Sequence, residues 1–204
     1  MVTSEQTNRF IFANSQFYMK KAFLLLMIFQ LFLFSLLAQT LPPVDKSPMD
    51  MGYYPANYPV LKIQDKLTEP LAARVVYSRP QKAGRTIFGG LVKYGEVWRI
   101  GANEATEIEF FKQVHIGGKK IPKGRYTLFA IVNESSWTFI INKENDTWGS
   151  FRYDPKKDVV RTMVTVQKND AVLESLAMAF EKATGGFNLI VAWDNVKAVL
   201  PVTF

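Results

Sequence analysis

Between Val114 and Ile141 the chain repeats one short theme: strand, tight polar turn, strand. Val114-His115-Ile116 and Lys119-Lys120-Ile121 flank Gly117-Gly118. A two-residue glycine connection suits the primed turns whose twist matches that of paired strands. Pro122 and Gly124 turn the chain again, and Tyr126–Val132 (YTLFAIV) follows as a strongly apolar strand. Asn133-Glu134-Ser135-Ser136 makes the next turn, and Trp137 to Ile141 runs back. This is an antiparallel meander, and no strand–helix alternation points instead to a parallel sheet.

The flanking segments extend the pattern. From Leu71, Ala73, Val75 and Tyr77 alternate with Arg74, Val76 and Ser78 until Pro80. Ile108 and Phe110 share one face, with Glu107 and Glu109 on the other, the period-two mark of a half-buried strand. Thr162 to Gln167, Phe187 to Trp193 and Val196 to Val202 read as further strands. Ala171 to Ala183 is ambiguous. Leu173, Leu176, Ala177 and Phe180 fit helical spacing between Asp170 and Gly185, so propensity leans to helix, yet Leu176, Met178 and Phe180 also fit a strand. About eight strands joined by short polar turns predict an all-β antiparallel β-sandwich or jelly-roll-like single domain.

The N-terminus follows a different logic. Met19-Lys20-Lys21 precedes an apolar run from Ala22 to Leu37, broken only by Gln30 and Ser35, and Ala38 supplies a small residue for cleavage. Charged start, short apolar run and small cleavage residue are the marks of a signal peptide, here residues 19–38. A spanning helix needs about 20 apolar residues, more than this run offers. Residues 1–18 then read as an extension from a start codon assigned too early. Residues 39–66 hold Pro42, Pro43, Pro48, Pro55 and Pro59 and read as an extended lead-in rather than a helix, with Tyr53, Tyr54 and Tyr58 free to pin it to the domain. Residues 67–204 would be the β-sandwich.

The chain has no cysteine, one histidine and a net charge of +7. Disulfides and a cysteine-linked lipid anchor are therefore excluded, and the expectation is an exported periplasmic or secreted protein that is not a lipoprotein. It is held by its core alone, with no membrane insertion after cleavage. The lysines are scattered and form no recognition motif, so nucleic acid is not an expected partner. One histidine and no cysteine leave no expected metal site, and no cofactor is expected. His115 beside the hairpin turn reads as a surface or edge residue rather than the base of a triad.

One stretch departs from this regularity. Tyr77–Phe111 interleaves Arg79, Arg85 and Arg99 with Tyr77, Phe88, Tyr94 and Trp98, and five glycines interrupt any period. It reads as a shaped loop with a strand at each end, and long irregular loops in compact domains are often functional. The arginines either converge on an anionic group or pair internally with residues such as Glu104 and Asp154, which is the plainer account. Glu107 and Glu109 lie about 6.5 Å apart along a strand, near a glycosidase carboxyl separation, but alternate charges are usually a wet face. Trp137 and Trp193 lie in apolar strands, whereas Trp98 and Trp148 lie in loops and are the better candidates for contact with a ligand such as a sugar.

The same stretch resembles a known family. Tyr77-Ser78-Arg79-Pro80, Gly84-Arg85, Ile87-Phe88-Gly89, Tyr94-Gly95, Trp98-Arg99 and Gly101-Ala102-Asn103-Glu104-Ala105-Thr106 look like the bacterial domain of unknown function 2911. Lys123-Gly124-Arg125-Tyr126-Thr127-Leu128, Trp137-Thr138, Asn142-Lys143 and Trp148-Gly149 fit as well, so the resemblance covers about Val60 to Phe204. It implies a bacterial, exported, mostly-β domain and moves residues 174–181 from helix towards strand. It implies no activity, cofactor or catalytic residue. The leading reading is a domain that binds a small molecule, glycan or envelope partner through Arg79, Arg85, Trp98, Arg99, Asn103 and Glu104. The alternatives are a carboxylate-dependent hydrolase using Glu104 or Glu107 with Asp154, and a structural envelope protein without a ligand.

Overall fold

A computed structural model describes residues 18–30 and 41–204. The chain divides into two units, one ending at Pro43 and one spanning Val44–Phe204. In the first, residues 18–30 are helical. Among the described residues no helix is long and apolar enough to cross a membrane. The early start at residues 1–17 and the cleavage after Ala38 lie outside the described residues.

The second unit holds eleven strands, β1 (Met49–Tyr54), β2 (Ala73–Ser78), β3 (Val97–Trp98), β4 (Glu107–Phe110), β5 (Val114–Ile116), β6 (Lys119–Ile121), β7 (Gly124–Val132), β8 (Ser136–Asn142), β9 (Asp158–Thr165), β10 (Gln167–Ala183) and β11 (Gly186–Thr203). One helix, α1 (Tyr58–Ile63), joins β1 to β2. The larger sheet runs β1-β2-β4-β7-β8-β9, with β3 paired to β7, and the smaller runs β10-β11-β5-β6. Every strand pairing is antiparallel. The fold is thus an all-β sandwich, as the meander pattern predicts.

Alternation sets which side chains face the core. On β7, Tyr126, Leu128, Ala130 and Val132 turn into the main cluster, where Leu128, Ala130 and Val132 are fully buried. Phe129 turns to the outer face, where it meets Ala105 and Ile140 in a second, smaller cluster. That outer patch is covered by Val97 of β3 and by Tyr153 of the loop that follows β8, which pack against it. The hairpin at Gly117-Gly118 forms as the sequence predicts, both glycines having positive φ (56° and 76°), as a primed turn needs.

Three segments differ from the local reading. Residues 171–183 are strand, not helix, because Leu176, Met178 and Phe180 turn inward in strict alternation and residues 177–183 pair with β11. The two strands expected over 187–193 and 196–202 are one, β11, which passes through Asp194 at φ 55°. The proline-rich lead-in is extended only in part. Met49–Tyr54 is the edge strand β1, bonded to β2, and Tyr58–Ile63 is helical with Pro59 in the first turn, where its missing N–H costs nothing. Tyr54 is buried and stacks on Phe187 at 4.5 Å, so this tyrosine does pin the segment to the domain.

Candidate functional site

The two sheets are joined at one end by a knot of aromatic rings. Trp137 comes from β8 and Trp193 from β11, so each sheet contributes one. Between them sit Phe88 and Trp98 from the irregular loop. Trp98 stacks on Trp193 (6.2 Å, 16°) and meets Trp137 edge-on (5.7 Å, 86°). Phe88 lies 5.2 Å from Trp137. Trp98 is 8% exposed and lies in the two-residue strand β3, which corrects its placement in a loop. Its surroundings explain this, because Val97 and Trp98 pair with Ile131 and Ala130 of β7.

The loop is shaped around that knot by specific polar contacts. Pro80 O accepts from Leu176 N–H, and Lys82 pairs with Asp194 at 2.5 Å. Ser78 Oγ accepts from Ala102 N–H at 2.6 Å and donates to Ala102 O at 2.7 Å. A Cβ at Gly101 would stand 2.7 Å from that hydroxyl oxygen, so only glycine allows this approach. Ile100 has φ 52°, an uncommon state for a β-branched residue, and its side chain is fully buried. Thr106 holds the turn from both sides, its hydroxyl donating to Ile100 O at 2.7 Å and its N–H to Arg99 O at 3.1 Å. Backbone strain of this kind persists where the surroundings over-determine it, and it clusters at functional sites.

The strained turn presents Arg99. Its guanidinium is half-buried, and Nε is enclosed without a hydrogen-bond partner. It makes no salt bridge with any described residue. Burial pushes its pKa below the ordinary arginine value, although the group stays charged. It faces a cleft of about 270 Å³ whose other walls include Trp98, Trp193, Pro80 and Arg85. Apolar ring edges, an unpaired cation and backbone from Gly101 and Ala102 therefore share one small space.

The six residues singled out in the sequence are only partly united. Arg85, Trp98 and Arg99 line this cleft. Arg85 is exposed at its rim and spends donors on Lys82 O (3.0 Å) and Gln81 O. Arg79 pairs internally, with Asp50 at 3.0 Å and with Leu176 O at 3.1 Å. Asn103 donates to Asp45 at 3.0 Å. Glu104 is exposed on a separate hollow that also holds Glu107. Trp193 and Ser47, also on the cleft, had no sequence signal beyond an apolar strand and a proline-rich lead-in.

Of the carboxylates offered for hydrolysis, Glu104 is exposed and without a side-chain partner among the described residues, and the others are engaged in the fold. Glu107 accepts from Asp146 N–H at 2.8 Å and faces Arg125 at 3.3 Å. Glu109 pairs with Arg74 at 2.5 Å. Asp154 caps the 3-10 turn Pro155–Lys157, accepting from Lys156 N–H at 2.9 Å. Among the described residues no three His, Asp or Glu side chains group as metal ligands would.

No curated protein and no solved structure matches this chain. A family match does exist, covering residues 60–202 and so taking in the aromatic knot, the Arg99 turn and every residue named on the cleft except Ser47. The chain belongs to the family described as protein of unknown function (DUF2911).

Proposed function

We propose that this is an exported binding protein that takes a small anionic molecule, a carboxylate or phosphate, against Arg99. The unpaired Arg99 guanidinium carries the reading. Burying a charge without a partner costs free energy, and a fold keeps such a group where something else completes it. Guanidinium matches a carboxylate or phosphate with two parallel hydrogen bonds. The apolar walls from Trp98, Trp193 and Pro80 suit a short apolar or ring-shaped body behind the anion. At about 270 Å³ the space is small, which favours a metabolite-sized ligand over a polymer.

Export rests on the lysine-flanked apolar run at Met19–Leu37 and the small Ala38, and N-terminal sequencing of the secreted chain tests it. A mature chain that retains Met19 would count against it. For the hydrolase alternative, Glu107 and Asp154 are held by Arg125, Asp146 N–H and Lys156 N–H, which leaves Glu104 as its one unengaged carboxylate. Binding is tested by thermal shift of residues 39–204 against a panel of small carboxylates, phosphate esters and nucleotides. A ligand at about 100 times its Kd adds roughly 2.7 kcal/mol of stability. The gain should vanish in Arg99→Met and survive in Arg79→Lys.

A further inference from the structure

The loop between β8 and the 3-10 turn, residues 143–154, carries a second feature that the Arg99 cleft does not use. It has little regular structure, yet it is tied down along its length. Asp146 N–H is held by Glu107, Gly149 N–H donates to Asn103 O at 2.8 Å, and Ala105 N–H donates to Thr147 O at 2.9 Å. The Ser150 hydroxyl donates to Val97 O at 2.9 Å. On this fixed frame stand two large aromatic side chains turned to solvent, Trp148 at 61% exposure and Phe151 at 83%. Gly149 has φ 67°, and a Cβ there would come within 2.8 Å of the Phe151 ring, so the ring lies directly over the glycine. The two rings are thus held by a braced turn and are not the tips of a loose loop.

Beside them opens a hollow of about 630 Å³. Most of the charges around it are already matched. Glu144 pairs with Lys157, Asp146 pairs with Arg125 at 2.6 Å, and Asp154 caps its turn. What remains is a different set of groups: the two ring faces, the exposed Arg152 guanidinium, and the Asn145 side-chain amide oxygen and Thr147 hydroxyl, both enclosed without a hydrogen-bond partner. Arg152 is the one charged side chain on this wall with no partner among the described residues, and its donors suit sugar hydroxyls as well as an anion. A purely apolar ligand would leave the two enclosed polar atoms unsatisfied, which costs free energy. A pyranose sugar offers what the surface lacks, with C–H faces that lie on aromatic rings and hydroxyls that both donate and accept. Rigid aromatic rings also bind with little entropy loss.

We propose that Trp148 and Phe151 form a stacking platform for an oligosaccharide of neutral pyranose units, with Asn145 and Thr147 addressing its hydroxyls. The ligand is either a soluble oligosaccharide or a strand of an insoluble wall polymer, because both offer the same sugar faces. This site stands apart from the Arg99 cleft, so either reading survives failure of the other.

The fold supplies a probe. Trp98, Trp137 and Trp193 are 8%, 1% and 1% exposed, so acrylamide quenching of the full chain reports mainly on Trp148. The soluble ligands are hexamers of β-1,4-glucose, β-1,4-N-acetylglucosamine, β-1,4-xylose and α-1,4-glucose. The insoluble ones are purified peptidoglycan and cellulose, read by pull-down. The expected result is that at least one sugar shields Trp148 or retains the chain. Affinity should fall at least about tenfold, roughly 1.4 kcal/mol, in Phe151→Ala and in Trp148→Ala. Trp148→Phe should keep most of it, and circular dichroism of every variant should stay that of the wild type. Soluble hexamers alone, or the insoluble wall alone, would say which source the platform meets. No shielding by any hexamer at about 10 mM, where even a millimolar site fills, together with no retention on either solid, overturns the proposal. Shielding of Trp148 that rises with protein concentration and without sugar overturns it too, because the rings would then be covered by a second copy of the chain.

Discussion

The two irregular loops of this sandwich dispose of aromatics and charges in opposite ways. The loop before β4, with β3 inside it, packs Phe88 and Trp98 against the core and leaves the Arg99 guanidinium unpaired. The loop after β8 pairs two of its carboxylates, through Glu144–Lys157 and Asp146–Arg125, and leaves Trp148 and Phe151 bare. The loops touch, since Glu104 bridges Trp148 and Asn103 O holds Gly149, so they share one structural frame. In each, the groups committed to folding are those with partners, and the group left over is the one available to a ligand. A loop that is half satisfied in this selective way says more about function than its composition does.

The comparison breaks most visibly at the aromatic knot. Trp193→Ala removes a fully buried ring that stacks on Trp98 and lines the Arg99 cleft. It should cost about 3–5 kcal/mol by urea unfolding and abolish binding in the cleft. Trp148→Ala, the same change in the other loop, should shift stability by no more than about 0.5 kcal/mol. Equal losses would erase the distinction between a core ring and a platform ring.

Among smaller effects, Arg79→Ala loses the Asp50 ion pair and the bond to Leu176 O, both partly exposed, and should cost about 1 kcal/mol in the same assay. Gly149→Ala forces a Cβ against the Phe151 ring at a positive φ and should cost about 1 kcal/mol or slightly more. It should also displace Phe151, which weaker sugar retention would show.

A pH effect is the subtlest. Burial, with the Asp158 carboxylate beside it, pushes the Tyr153 pKa up to about 12. The unfolded value is about 10, so the neutral phenol favours the fold fully below pH 10 and that contribution is lost as pH rises towards 12. The stability of Tyr153→Phe should therefore fall less than that of the wild type across this window. Parallel curves would mean that the tyrosine does not couple to the loop it anchors.

Much of this frame was legible from pattern. Glycine pairs at turns and period-two alternation at Ile108 and Phe110 carry local information, and they placed the meander. Strand β10 was not legible locally, because Leu173, Leu176, Ala177 and Phe180 satisfy a helical period as well. Only pairing with β11 decides between them, and the family resemblance anticipated that outcome. Trp98 was misplaced for a related reason: a two-residue strand among glycines carries no period. The arginines stand out in the sequence as a group, but which of them finds a carboxylate depends on contacts far along the chain. Asp50 for Arg79 is one such contact. Phe151 and Thr147 gave no signal at all, since exposure is a property of the fold and not of the residue.

The central claim is that Arg99 is kept for a ligand and not for the fold. The direct measurement is urea unfolding of residues 39–204 as wild type and as Arg99→Met, each without ligand. A half-buried charge with no partner should stabilise nothing, so the account predicts that Arg99→Met is as stable as the wild type or slightly more stable. A loss above about 2 kcal/mol would mean that the guanidinium holds the loop together, and the anion site would fall with it.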